Sequence, residues 1–178
     1  MNRESATQVK TANSVTSVRD MTISAMFIAL TYLATAFINI RLPLAANGGL
    51  VHLGNVPLFV AAVLFGKKNG AVAGGVGMAL FDLLSGWTLW APFTLVIVAG
   101  MGYVCGLVTE KKKTLRNIII GIVLALIIKI GGYYVAEGII YGNWIAPMMS
   151  IPGNIVQVVT GGVIAVPIIM VLKNVIRW

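Results

Sequence analysis

The chain has 178 residues, of which 58% are hydrophobic and 10% charged, with a mean hydropathy of +0.94. Soluble domains carry about 25% charged residues, so this composition excludes an ordinary soluble enzyme. A bilayer core about 30 Å thick takes roughly 20 helical residues per crossing, so the length holds about six short spans and no soluble domain beside them.

Residues 1–20 are polar and read as a cytoplasmic lead-in; they precede a single transmembrane domain over 21–178. The late start of the first apolar run, at Met21, argues against a cleaved signal peptide, whose apolar region follows a short basic start. Apolar runs at 21–40, 56–65, 71–84, 91–108, 118–134 and 155–172 predict six helices. On the first, Ala25 and Ala29 form a small-xxx-small face that another helix can approach closely. The second and third are short and bordered by Gly, Pro and Asn, which points to broken or tilted elements lining a cavity. Gly66, Gly70 and Gly74 recur every fourth residue, a pattern for close helix packing. The third run also holds Asp82, a carboxylate among apolar and small residues. Such a group costs about 2.5 to 3.5 kcal/mol inside a membrane, so it faces a cavity, a partner charge or a ligand.

The fifth helix carries Lys129, Tyr133 and Glu137 at steps of four, which places them on one face. At 1.5 Å per residue, Lys129 lies about 10 Å below the outer end and Asp82 about 6 Å below Gly86. The depths match, so an internal ion pair stands beside a ligand-binding role for the two. The sixth helix opens with Asn154 and Gln157, three residues apart. Their amides both donate and accept and suit a neutral heterocycle; capping that helix or bonding a neighbour is the structural alternative.

The net charge of +8 is distributed unevenly. Eleven of the 13 basic residues (Arg3, Lys10, Arg19, Lys67, Lys68, Lys111, Lys112, Lys113, Arg116, Lys173 and Arg177) fall before the first helix, after the sixth, or in two loops on the same side. The positive-inside rule then places both termini in the cytoplasm, and nucleic acid is not needed to explain the charge. The opposite loops hold Asn47, His52, Trp87, Trp90 and Trp144. Those tryptophans form either an interfacial belt or the wall of an aromatic pocket.

Catalysis is not expected. The single histidine, His52, excludes a histidine metal cluster within the chain. No phosphate-binding GxxxxGK[ST] loop occurs, and the lone Cys105 lies in an apolar run.

The stretches VHLGNVPLF at 51–59, FDLLSGW at 81–87 and APFT at 91–94, with the Ala25 to Ala29 spacing, carry a resemblance. The chain resembles the substrate-binding S component of an energy-coupling factor (ECF) vitamin transporter, in the subgroup related to riboflavin, pyridoxine and hydroxymethylpyrimidine carriers. That resemblance implies an all-α integral membrane bundle of six transmembrane helices in the bacterial cell membrane. It also implies a non-enzymatic subunit that captures a vitamin outside and docks through Ala25 and Ala29 on a T component bearing two ATPases. ATP and Mg would be used by those partners, with no cofactor on this chain. By position it implicates Asn47, His52, Trp87, Trp90, Lys129, Tyr133, Glu137, Trp144, Asn154 and Gln157 in substrate binding, with Asp82 as a charge in the pocket wall. The side-chain inventory favours pyridoxine or hydroxymethylpyrimidine over the larger riboflavin. A structural membrane protein or a stand-alone secondary carrier are the other readings.

Overall fold

A computed structural model describes residues 3–41 and 50–176. Six α-helices run in the order α1 (Arg3–Phe37), α2 (Asn55–Phe65), α3 (Lys67–Leu84), α4 (Ala91–Thr109), α5 (Leu115–Tyr141) and α6 (Ile151–Val175). A 3-10 turn at Ala146–Ser150 precedes α6. Between α1 and α2 the chain forms two short strands, β1 (Asn39–Arg41) and β2 (Leu50–His52). They pair antiparallel, with Asn39 opposite His52 and Arg41 opposite Leu50. The bundle is therefore not purely helical as expected, because this outer connection satisfies its backbone groups through a ladder.

Helix α1 also departs from expectation: it starts at Arg3, so the polar lead-in continues the first apolar run as one helix. Four helical segments, in α1, α4, α5 and α6, are long and apolar enough to cross a membrane. Helix α3 has 18 residues but carries Lys67, Lys68 and Asp82. Helix α2, at 11 residues, extends only about 16 Å.

Helix α2 is the centre of the bundle. Leu58, Phe59, Ala61, Ala62, Val63 and Leu64 have almost no exposed surface, as a helix that is apolar all round requires. It contacts α1, α3, α4 and α6. Gly66 alone joins α2 to α3, at φ 93°, a backbone region that side chains with a Cβ avoid. Of the glycine series, Gly66 is thus the hinge. Gly70 and Gly74 serve the close packing, lying against Ala62 and Leu58 of α2.

The outer perimeter inverts the pattern of a soluble protein. Val96, Ile127, Val163 and Val171 are each more than 60% exposed, on a surface whose contiguous apolar area calls for lipid. At one end, Lys67 pairs with Glu110 at 3.0 Å and Lys173 donates to the Lys113 carbonyl at 3.4 Å. The β-pair, the α3–α4 turn and the start of α6 gather at the other end.

Candidate functional site

The first turn of α2 follows β2 directly, at the end of the bundle that carries the β-pair. A cavity of about 100 Å³ lies there, with no α2 residue in its wall. Thr35 from α1, His52 from β2, and Met78, Phe81 and Asp82 from α3 form one part of the wall. Trp87, Trp90 and Thr94, from the α3–α4 turn and the start of α4, form another. Lys129, Tyr133 and Glu137 of α5 and Asn154 and Gln157 of α6 complete it.

The polar groups are held by short, specific contacts. Lys129 is 2% exposed; its ammonium donates to Oε1 of Gln157 and lies 5.5 Å from the centre of the Tyr133 ring, within cation–π range. Tyr133 and Thr94 share a hydroxyl–hydroxyl hydrogen bond of 3.0 Å. Trp90 sits between Tyr133 and Tyr141, with ring centres 6.4 and 6.0 Å away, which fixes an aromatic wall. The Asn55 side chain donates to the Gln157 carbonyl at 3.3 Å, tying α6 to the first turn of α2. The Gly54 N–H donates to His52 Nδ1 at 3.2 Å. Burial, and then the Lys129 charge, hold the His52 imidazole well below its ordinary 6.5. It is therefore neutral, with Nε2 as its N–H donor.

Asp82 and Lys129 do not pair. The single salt bridge among the described residues joins Lys67 and Glu110, and the buried Oδ2 of Asp82 has no hydrogen-bond partner among them. Lys129 instead turns to the amide of α6, so a carboxylate and an ammonium stand separately in one cavity wall.

Of the residues picked out in the sequence, His52, Asp82, Trp87, Trp90, Lys129, Tyr133, Glu137, Asn154 and Gln157 come together in the cavity. Asn154 does not cap α6, whose cap is Ser150. Trp144 is absent from the wall. It is 54% exposed and packs on Tyr134 with ring centres 6.1 Å apart, while the Tyr134 hydroxyl donates to its carbonyl at 2.8 Å. Asn47 lies outside the described residues. Thr35, Met78, Phe81 and Thr94 were not anticipated. Met78 precedes Asp82 by four residues and Thr94 follows Trp90 by four, so helical spacing from those two anchors points to both. Ala25 and Ala29 lie exposed on α1, far from the cavity wall and beside Met21, Met26, Leu30 and Leu33.

The family model for the ECF-type riboflavin transporter S component matches residues 15–174. The chain belongs to this family. Among curated proteins, this S component is 32% identical over 149 residues to the thiamine precursor transporter HmpT of Lactococcus lactis subsp. cremoris (strain MG1363), covering 84% of each chain. It is 35% identical over 135 residues to an uncharacterized protein of Pyrococcus woesei, covering 76% of this chain and 90% of the relative. A solved S component of a bacterial ECF transporter superposes with a TM-score of 0.73 at 20% identity, over 91% of this chain and 99% of the other. That likeness speaks to the fold. Together these place the chain among the membrane-embedded S components that serve vitamin or precursor uptake.

Proposed function

We propose that this S component captures a small heteroaromatic vitamin or precursor, with a hydroxymethylpyrimidine-type compound favoured, and delivers it inward through an ECF T component driven by two ATPase subunits. All six helices cross the bacterial cell membrane in this reading, and both termini are cytoplasmic. The cavity therefore opens outward. The uneven distribution of basic residues supports that orientation. The chain itself is non-catalytic and binds no cofactor; ATP and Mg act on the partner ATPases. Ala25 and Ala29 form the docking face on α1, where their small side chains permit close approach of a T-component helix.

The observation that carries the substrate reading is the cavity itself. It joins aromatic and polar groups in one wall, the pattern of a site for a flat heterocycle. Trp87, Trp90 and Tyr133 offer stacking surfaces, while Asn154, Gln157, His52, Asp82, Lys129 and Glu137 offer donors and acceptors for ring nitrogens and a hydroxyl. The likeness to a thiamine precursor transporter supports the same class.

Calorimetry on the purified chain tests the reading with hydroxymethylpyrimidine, pyridoxine and riboflavin. Saturable heat with hydroxymethylpyrimidine is the expected result. Heat with riboflavin alone would replace the substrate, and no heat with any of the three in folded protein would overturn the claim.

A further inference from the structure

We propose that Asp82 is the specificity-determining residue of this cavity, receiving the amino-bearing edge of a neutral aminopyrimidine-type ring while Lys129 holds an acceptor on the same ligand. The inference rests on the substrate reading above and adds which chemical group of the ring is selected, and by what. Its basis is one buried carboxylate oxygen, Oδ2 of Asp82, left without a hydrogen-bond partner among the described residues in a wall that also holds the Lys129 ammonium. Asp82 lies in the last turn of α3. Lys129 on α5 is committed to Gln157 and the Tyr133 ring.

A carboxylate oxygen accepts hydrogen bonds and an ammonium donates them. Glu137, the other carboxyl group of the wall, is held by Ser150, so Asp82 and Lys129 are the charged groups that meet the ligand, and their complement has a donor at one edge and an acceptor within reach of the other wall. An aminopyrimidine provides both on adjacent atoms: the exocyclic N–H donates, and the neighbouring ring nitrogen accepts. A ring without the amino group would lose the donor on that edge and would bury the carboxylate further from water. Sites built around a hydrogen bond reject analogues that lack it, because the protein group is left unpaired. The Thr94 hydroxyl, shared with Tyr133, engages the Asp82 carboxyl group and still leaves Oδ2 without a partner among the described residues.

The test compares 4-amino-5-hydroxymethyl-2-methylpyrimidine with the same ring lacking the 4-amino group, by calorimetry on the full chain in lipid nanodiscs. The wild type is expected to prefer the amino compound by about 10- to 100-fold, the range for hydrogen bonds to a charged group. Asp82→Asn should remove most of that preference by weakening the amino compound selectively, and Asp82→Glu should recover part of it. If the wild type binds both compounds equally, or Asp82→Asn keeps the full preference, the Asp82 assignment is overturned while the substrate reading stands. If neither compound binds, both fall together. Should the Asp82 variants fail to fold, the wild-type ratio alone decides.

Discussion

Lys129 on α5 gives its hydrogen bond to Gln157 on α6 and leaves Oδ2 of Asp82 on α3 without a partner among the described residues. An internal ion pair would have closed the cavity across those two helices; the amide contact instead pins α5 to α6 and keeps the α3 wall free. A buried ammonium held by a neutral amide carries a desolvation cost of several kcal/mol, which Asp82 offsets only in part because the two form no ion pair.

Lys129→Met is therefore expected to leave the unfolding temperature unchanged or raised. The lost ammonium burial outweighs the roughly 1.5–3 kcal/mol of the charged hydrogen bond to Gln157 that goes with it. Ligand affinity should fall at least about 10-fold, as for loss of one charged hydrogen bond. Gln157→Leu should do the opposite to the fold and destabilise it by about 1.5–3 kcal/mol, since the cation stays. Thermal unfolding in detergent and calorimetry on the same samples check both. A large drop in unfolding temperature for Lys129→Met would make the ammonium a structural group.

Gly54 is where the cavity meets the fold most tightly. A Cβ there would lie 3.0 Å from His52 Nδ1, 3.0 Å from Met78 Cε and closer still to Thr35 Oγ1, and all three neighbours line the cavity. Gly54→Ala is expected to cost about 1–3 kcal/mol through overpacking and to weaken ligand binding. Gly131→Ala on α5 is the contrast: nothing lies within 4 Å of its Cβ, so the helix gains about 0.5–1 kcal/mol and binding stays constant. Equal effects from the two substitutions would refute the close approach at Gly54.

The polar stripe of α5 was readable in the sequence because Lys129, Tyr133 and Glu137 obey helical spacing, and the Asn154–Gln157 pair was readable on the same ground. Helical rotation beyond that spacing was not. The direction of Lys129 depends on how α5 and α6 turn against each other, so matching depth pointed to Asp82 and gave no sign of Gln157. Trp144 was misplaced for a local reason. Gly138 on α5 has no side chain, and the indole folds back over that gap onto Tyr134. An apolar run of ten residues at 56–65 reads as a membrane span or as a buried core helix alike. Only the packing shows that α2 is enclosed.

His52 predicts a pH dependence of stability. Its folded-state pKa is depressed below 6.5 by burial and by Lys129, so below pH 6.5 the unfolded chain binds a proton that the folded chain refuses. Stability from this group is complete above pH 6.5 and declines as the pH falls, by at most about 1.4 kcal/mol per pH unit. His52→Asn keeps an acceptor for the Gly54 N–H and does not titrate. The unfolding temperature of the wild type should therefore drop more between pH 7 and pH 5 than that of His52→Asn, and parallel curves for the two would remove His52 as the cause.

The exposed α1 face gives a prediction separable from ligand binding. Ala25 and Ala29 stand one turn apart and both are exposed, and among the described residues Thr35 is the one that α1 gives to the cavity wall. If a T-component helix packs there, Ala25→Trp and Ala29→Trp block its approach sterically while the cavity is left alone. Co-purification with the T component and its ATPases should be lost, and cellular uptake with it. Affinity for hydroxymethylpyrimidine, measured on the isolated variants, should stay within about twofold of the wild type, since sites that share no contacts act independently. Retained co-purification with both tryptophans in place would move the docking face elsewhere on the bundle. Loss of ligand affinity in step with loss of the complex would instead mean that α1 transmits changes to the cavity through Thr35.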